Sequence, residues 1–222
     1  MKQLVPAFTR AILKGDVHSV TELYTSSIQS EADSLTFYES VIKPAMYRIG
    51  DLWEKNQITV ADEHLATATL KYLLASVYTP YEVTERHPKG LLFCIEGEQH
   101  SLGLELANEI FKEQNWNTRY LGANVPVKDA VTFVRAWKPQ VVAISTGMTT
   151  GMSQLKECLK QIEEVQPGIK IMVGGRLISH YNLDFLDRAS ITTFHDLKEL
   201  HDYLEENAAQ FLALIEEKII SN

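Results

Sequence analysis

Apolar residues fall in two different rhythms along this chain, and the change of rhythm divides it. Up to about residue 84 they recur every three to four positions, the spacing of one face of a helix. Two short amphipathic helices are predicted near residues 3–14 and 17–30, interrupted at Gly15-Asp16, where Asp16 is a suitable N-cap. A longer helix is predicted from Ser34 to Lys55, with a kink or break at Pro44, because proline cannot donate a backbone hydrogen bond. Asn56-Gln57-Ile58 makes a turn, and Thr59-x-x-Asp62 has the form of a capping box opening a fourth helix that carries Leu65, Leu70, Leu73 and Leu74. Four helices joined by short loops predict a small bundle.

The stretch Thr84-Glu85-Arg86-His87-Pro88-Lys89-Gly90 is polar and holds a proline and a glycine, the marks of a connection. It separates a helical domain at 1–84 from a second domain at 90–222. Beyond Gly90, short continuous apolar runs alternate with helical patterns. Strands are predicted at Leu91–Ile95, Trp116–Leu121, Val141–Ser145, Ile169–Val173 and Ile191–Phe194. Helices are predicted at Ser101–Gln114, Val127–Trp137 and Met152–Val165, with one long helix ending at Ile220. Continuous apolar strands between helices predict an α/β fold with a five-stranded parallel sheet covered on both faces.

Composition narrows the chemistry. The 222 residues are 45% hydrophobic and 23% charged, with a net charge of −8 and no cluster of Lys and Arg. That balance argues against a nucleic-acid surface, which works by releasing phosphate counterions. No apolar run reaches the roughly 20 residues of a membrane span. Met1-Lys2-Gln3-Leu4-Val5-Pro6 lacks the features of a signal peptide, so a cytoplasmic location is expected. Cys94 and Cys158 show no CxxC spacing, and Cys94 lies within an apolar run, as a small hydrophobe would.

In an open parallel sheet, ligands collect at the C-terminal ends of the strands. Three unusual loops belong there: Glu96 to Gly103, Ser145 to Gly151, and Gly174 to Leu177. In the first, His100 follows a strand and can reach a metal. Glu98, two residues earlier, can accept the other ring N–H, which orients such a ligand and raises its basicity. Gly103 lets a large planar group approach the backbone where a helix begins. The loop Ser145-Thr146-Gly147-Met148-Thr149-Thr150-Gly151 offers hydroxyls and glycines without charge. Neither a G-x-G-x-x-G fingerprint nor a Walker phosphate loop is present.

These residues carry a resemblance. Glu98-x-His100-x-x-Gly103, Leu121-Gly122-x-x-Val125-Pro126, Ser145-x-x-x-Thr149 and Gly174-Gly175 resemble the cobalamin-binding domain of methionine synthase, corrinoid carrier proteins and related regulators. The resemblance implies a Rossmann-like (flavodoxin-like) domain in which His100 is the lower axial ligand of cobalt. It further implies that Ser145 and Thr149 line a pocket for the displaced nucleotide tail, with space made by Gly174 and Gly175. Ser101, Val125 and Gly147 complete the implied contact set. The common pattern begins with Asp; Glu98 in its place resembles the light-sensing branch.

Upstream, Trp53-x9-Glu63-His64 resembles the motif of the CarH-type cobalamin photoreceptors. There the tryptophan packs over the upper adenosyl group, and the glutamate and histidine complete its pocket, so the resemblance implies a helical domain capping the upper face of adenosylcobalamin. Two departures matter. Those repressors carry a DNA-binding domain before the bundle, whereas this sequence starts with the bundle, so direct DNA binding is not expected. They also carry a histidine after the tryptophan, where this chain has Glu54. Photocobilins are similar too, and imply a bilin such as biliverdin as second chromophore, with Tyr72, Tyr78, Tyr81 and His180 as candidate contacts. The expectation is a photosensor, not a turnover enzyme, acting through self-association or a partner protein. A corrinoid methyl carrier serving a methyltransferase is the alternative.

Overall fold

A computed structural model describes residues 1–28, 31–77, 82–181 and 183–220. The chain divides into two compact units, Met1–Tyr81 and Glu82–Asn222.

The first unit is helical: α1 Val5–Leu13, α2 Val17–Thr25, α3 Glu31–Phe37, α4 Lys43–Glu54 and α5 Val60–Val77. Asp16 caps α2, its carboxylate accepting from the Ser19 backbone N–H at 3.0 Å. The helix stops at Thr25, short of the predicted residue 30. The Ser26 and Ser27 hydroxyls there turn back onto the Leu23 carbonyl (3.3 and 2.7 Å) and compete with helix continuation. The predicted break at Pro44 takes the form of a π turn, Tyr38–Ile42, joining α3 to α4, with Pro44 in the first turn of α4, where a missing N–H is tolerated. The Thr59 capping box forms in both directions: the Thr59 N–H donates to Asp62 Oδ2 (2.8 Å) and the Asp62 N–H to Thr59 Oγ1 (3.3 Å). The core is built from Phe8, Ile12, Val20, Phe37, Val41, Ile42, Ile49, Leu70 and Leu73, with Phe37 meeting Phe8 and Tyr24 edge to face. Leu65, predicted on the apolar face, is 44% exposed and lies over Gly15 at the α1–α2 turn.

The second unit contains, among the described residues, a five-stranded parallel sheet in the order β2-β1-β3-β4-β5. Its elements are β1 Lys89–Ile95, α6 Leu102–Glu113, β2 Asn117–Val125, α7 Val127–Trp137, β3 Val141–Ser145, α8 Met152–Val165, β4 Lys170–Gly174, α9 Arg176–His180, β5 Ile191–Phe194, α10 Leu197–Glu206 and α11 Ala208–Ile220. Because side chains alternate along a strand, Leu91, Phe93 and Ile95 join Val142, Ile144, Ile171 and Val173 under α7 and α8. Leu92, Cys94, Ala143 and Met172 are buried on the other face, the side of α6. There Trp116 stacks edge to face between Phe111 and Phe211, with centroids 5.0 and 4.8 Å away. Cys94 and Cys158 are buried, and burial, with a smaller contribution from the Glu157 charge, pushes the Cys158 thiol up to about 12.

β2 runs four residues past its predicted end at Leu121, because register shifts absorb Gly122 and Asn124, both at positive φ, without ending the ladder. The single predicted C-terminal helix is two helices, α10 and α11, parted at Asn207. No helix among the described residues is long and apolar enough to cross a membrane. The strand order reverses between β1 and β3, so the loops after those strands open a crevice at the switch point of the sheet.

Candidate functional site

The β1 loop begins with a turn that the sequence alone does not reveal. The Glu98 N–H closes on the Ile95 carbonyl (2.9 Å), and Asn124 at the end of β2 grips the loop from the side. Asn124 Oδ1 accepts from the Gly97 N–H (2.8 Å), and the Asn124 N–H donates to the Glu98 carbonyl (2.9 Å). Asn124 adopts φ 55°, a conformation that asparagine tolerates better than most residues. That positive φ follows from the tight bend and is the only local signal that could have marked this residue.

Glu98 is turned inward and is 2% exposed. One carboxylate oxygen accepts both the His100 backbone N–H (2.8 Å) and the ring Nδ1–H (2.6 Å). The other accepts the Gly147 N–H from the β3 loop at 2.6 Å. Burial pushes the Glu98 carboxyl up, but the bonds from the His100 backbone, the His100 ring and Gly147 together outweigh it and hold the group below its ordinary range. An ionised carboxylate only accepts hydrogen bonds, so Nδ1 is the donor in this pair and Nε2 is the ring nitrogen that points away from it. The imidazole itself is 59% exposed. The pair thus orients a ring nitrogen that can serve as a metal ligand.

Gly147 is needed for that contact: a Cβ there would lie 2.8 Å from Glu98 Oε2. Ser145 ends β3, paired in register with Cys94 on one side and Gly174 on the other. Gly174 ends β4, and Gly175 takes φ 112°; a Cβ at 175 would come within 2.2 Å of the Thr146 carbonyl oxygen. Val125, buried, closes β2 opposite Ile95. Ser101 is buried, and its hydroxyl donates to Glu105 Oε1 (2.9 Å), which also accepts from Tyr120 OH (3.0 Å). Gly103, in the first turn of α6, is exposed, with nothing within 4 Å of where a Cβ would stand. Thr149 is exposed on a short 3-10 turn. Hydrogen bonds thus join Glu98, His100 and Gly147, and pairing joins Ser145 to Gly174; Gly103 and Thr149 lie on the open surface around them.

Trp53, Glu63 and His64 belong to the helical unit. Trp53 ends α4 and is 50% exposed, so it is not a core residue of that unit. Glu63 and His64 sit in the first turn of α5, with His64 Nε2 3.7 Å from the Glu63 carboxylate. Tyr72 is exposed; Tyr78, Tyr81 and the side chain of His180 lie outside the described residues.

Among the described residues no three metal-ligating side chains converge.

Comparison with known proteins agrees with this chemistry. The family described as B12 binding domain matches residues 88–210, and a second family of the same description matches residues 5–78. The HTH-type transcriptional repressor CarH of Myxococcus xanthus is 29% identical over 142 residues, which are 64% of this chain and 47% of the repressor. The chain thus spans about half the length of that relative. Trimethylamine corrinoid protein 1 of Methanosarcina acetivorans is 23% identical over 180 residues, covering 78% of this chain and 83% of its own. The monomethylamine corrinoid protein of Methanosarcina barkeri shares the fold, with a TM-score of 0.72 at 17% identity over 92% of this chain and 98% of its own. The chain belongs to the B12-binding domain family, and its ligand is a cobalamin.

Proposed function

We propose that the chain is a light sensor that holds adenosylcobalamin through His100. The observation that carries the ligand assignment is the Glu98–His100 pair, in which a buried carboxylate fixes the ring with Nε2 directed away from the bond. In this reading His100 Nε2 would hold the cobalt of the cofactor, Glu98 would set the ring's tautomer, and Gly147 ties the β1 loop to the β3 loop so that the histidine is held from two strands. When bound, the cofactor supplies visible absorption and a photolabile cobalt–carbon bond. The half-exposed indole of Trp53 supports a role on the adenosyl side, since a broad apolar face left out of its own core is suited to an adenine. Glu63 would accept a hydrogen bond from a ribose hydroxyl. Loss of the adenosyl group would remove what Trp53 and Glu63 hold in the dark, and that differential contact is what any ligand-driven switch requires. The output would be altered self-association or partner binding. A bilin beside the cobalamin would extend the response to longer wavelengths.

The likeness to the trimethylamine corrinoid protein over 78% of the chain favours a second reading, a carrier of methyl groups for a separate methyltransferase. One experiment separates the two. The protein is loaded with adenosylcobalamin in the dark, with and without biliverdin, and its absorption and elution volume are recorded before and after illumination. The sensor reading expects a light-driven spectral change together with a change in association state. Cobalamin uptake with no change in the protein after illumination, and preference for methylcobalamin, would favour the carrier.

A further inference from the structure

Ser101 follows His100 directly and occupies the N-cap position of α6, yet its hydroxyl makes no cap bond. Serine is favoured at such a position because its side chain can accept from the unpaired amides of the first turn. Here the buried hydroxyl turns inward instead and donates to Glu105 Oε1 at 2.9 Å. The same oxygen accepts from the Tyr120 hydroxyl at 3.0 Å. Burial pushes the Tyr120 hydroxyl up, so it stays protonated and goes on donating. One carboxylate oxygen on α6 thus ties the residue after His100 to β2, the edge strand of the sheet.

A second tie reaches the same segment from β1, where the Cys94 thiol, a weak donor, lies 3.8 Å from the His100 carbonyl oxygen. His100 is therefore held in two separate ways. Glu98 and Gly147 fix its ring from the side of the β3 loop. Cys94, Ser101, Glu105 and Tyr120 fix its main chain from the side of α6 and β2. The first sets the direction of Nε2, and the second sets how far Nε2 stands out from the sheet. Metal–ligand distances tolerate only about 0.2 Å of error. A segment ordered beforehand also avoids the entropy that a loose one loses on binding.

We infer that Tyr120 and Glu105 are positioning residues for the axial histidine: acting through Ser101, they set the reach of His100 and favour it over the cofactor's own base. This rests on the cobalamin reading above and adds two residues to it. Neither needs to touch the corrinoid. Because His100 competes with that base for one position, lost placement shows itself as a return of the base.

The test compares wild type, Tyr120→Phe, Ser101→Ala and Glu105→Gln, each made both with His100 and in a His100→Ala background. Cobalamin affinity is measured by absorbance titration. Electron paramagnetic resonance of the cobalt(II) form, with 15N-labelled histidine, separates histidine-bound from base-bound cofactor. Tyr120→Phe and Ser101→Ala should each weaken binding by about threefold to tenfold and raise the base-bound share. Glu105→Gln, which keeps an acceptor oxygen for both hydroxyls, should stay within about twofold of wild type. In the His100→Ala background the Tyr120 and Ser101 substitutions should have no further effect, because no histidine is left to place. A network that only supports the fold, or a hydroxyl that touches the cofactor itself, would act in both backgrounds. Losses that persist undiminished after His100→Ala, or an unchanged affinity and base-bound share in Tyr120→Phe and Ser101→Ala, would overturn the inference. The underlying reading fails in a different way: wild type takes up no cobalamin, or His100→Ala keeps the wild-type affinity and spectrum.

Discussion

Replacing Glu98 with glutamine removes one charge and changes almost no volume, which makes it a sharp probe of the site. Glu98 receives three donors on two oxygens, at 2.8, 2.6 and 2.6 Å, in a setting that is 2% exposed. Glutamine has one acceptor oxygen. If that oxygen faces His100, the amide NH2 confronts the Gly147 N–H, donor against donor, and the tie to the β3 loop is lost. If it faces Gly147, the NH2 confronts the His100 N–H and the ring. The imidazole then keeps an acceptor at Nδ1 only by moving its proton to Nε2, the atom that should ligate cobalt. Either orientation loses charge-assisted bonds worth about 1.5–3 kcal/mol each before solvation is set against them. Partners that orient a metal ligand typically change metal affinity by about 10–100-fold, or about 1.4–2.7 kcal/mol. Cobalamin affinity of Glu98→Gln should therefore fall by that factor in an absorbance titration at neutral pH, and Glu98→Asp, too short to serve both loops, should fall between it and wild type. Binding by the glutamine variant within twofold of wild type would refute the reasoning.

The two kinds of glycine at the site should separate cleanly. Gly103→Ala meets nothing within 4 Å and should leave the free protein unchanged or stabilise it by about 0.5 kcal/mol, yet weaken cobalamin binding; denaturant unfolding and titration check both. Gly175→Ala would place a Cβ 2.2 Å from the Thr146 carbonyl at φ 112°, and should destabilise the free protein by on the order of 3 kcal/mol, read from the urea midpoint. Trp53→Ala, at a half-exposed position, should cost about 1 kcal/mol or less in stability while abolishing any preference for adenosylcobalamin over methylcobalamin. Acid should loosen the helical unit by a defined route. Hydrogen bonds from the Ser19 backbone and hydroxyl lower the Asp16 pKa, and bonds from the Thr59 hydroxyl and backbone lower that of Asp62. A lowered folded-state pKa means that this support is present above the ordinary value of 3.8 and is lost as pH falls through the folded value. Helicity measured by circular dichroism should therefore fall below about pH 4, and less steeply in Asp16→Asn with Asp62→Asn.

The sheet was the most legible part of the chain. Val141–Ser145, Ile191–Phe194, Val127–Trp137 and Met152–Val165 occupy the residues their patterns predict, because short runs bounded by apolar residues and helices with one apolar face leave clear rhythms. Legibility failed where a local feature overrode the rhythm. β2 carries past Leu121 because bulges at Gly122 and Asn124 continue a ladder that alternation alone would end. α2 ends early because serine hydroxyls bond backward, an effect that periodicity does not register. At the site, the Glu98–His100 pairing could be foreseen, since its members are two residues apart. The third partner, Gly147, lies 49 residues away and donates through its backbone, so nothing in its side chain announces it. Asn124 escaped for a related reason: it acts through a loop conformation at positive φ.

His100 bears the central claim, and the nitrogen that binds cobalt can be identified directly. The protein is produced with 15N-labelled histidine, loaded with unlabelled cobalamin in the cobalt(II) state, and examined by electron paramagnetic resonance. Ligation by His100 predicts that each cobalt line splits into a doublet in the labelled protein and a triplet in the unlabelled one, with the doublet lost in labelled His100→Ala. Triplets that persist in the 15N-labelled protein would mean that the cofactor's own base still occupies the lower position, and would contradict the account.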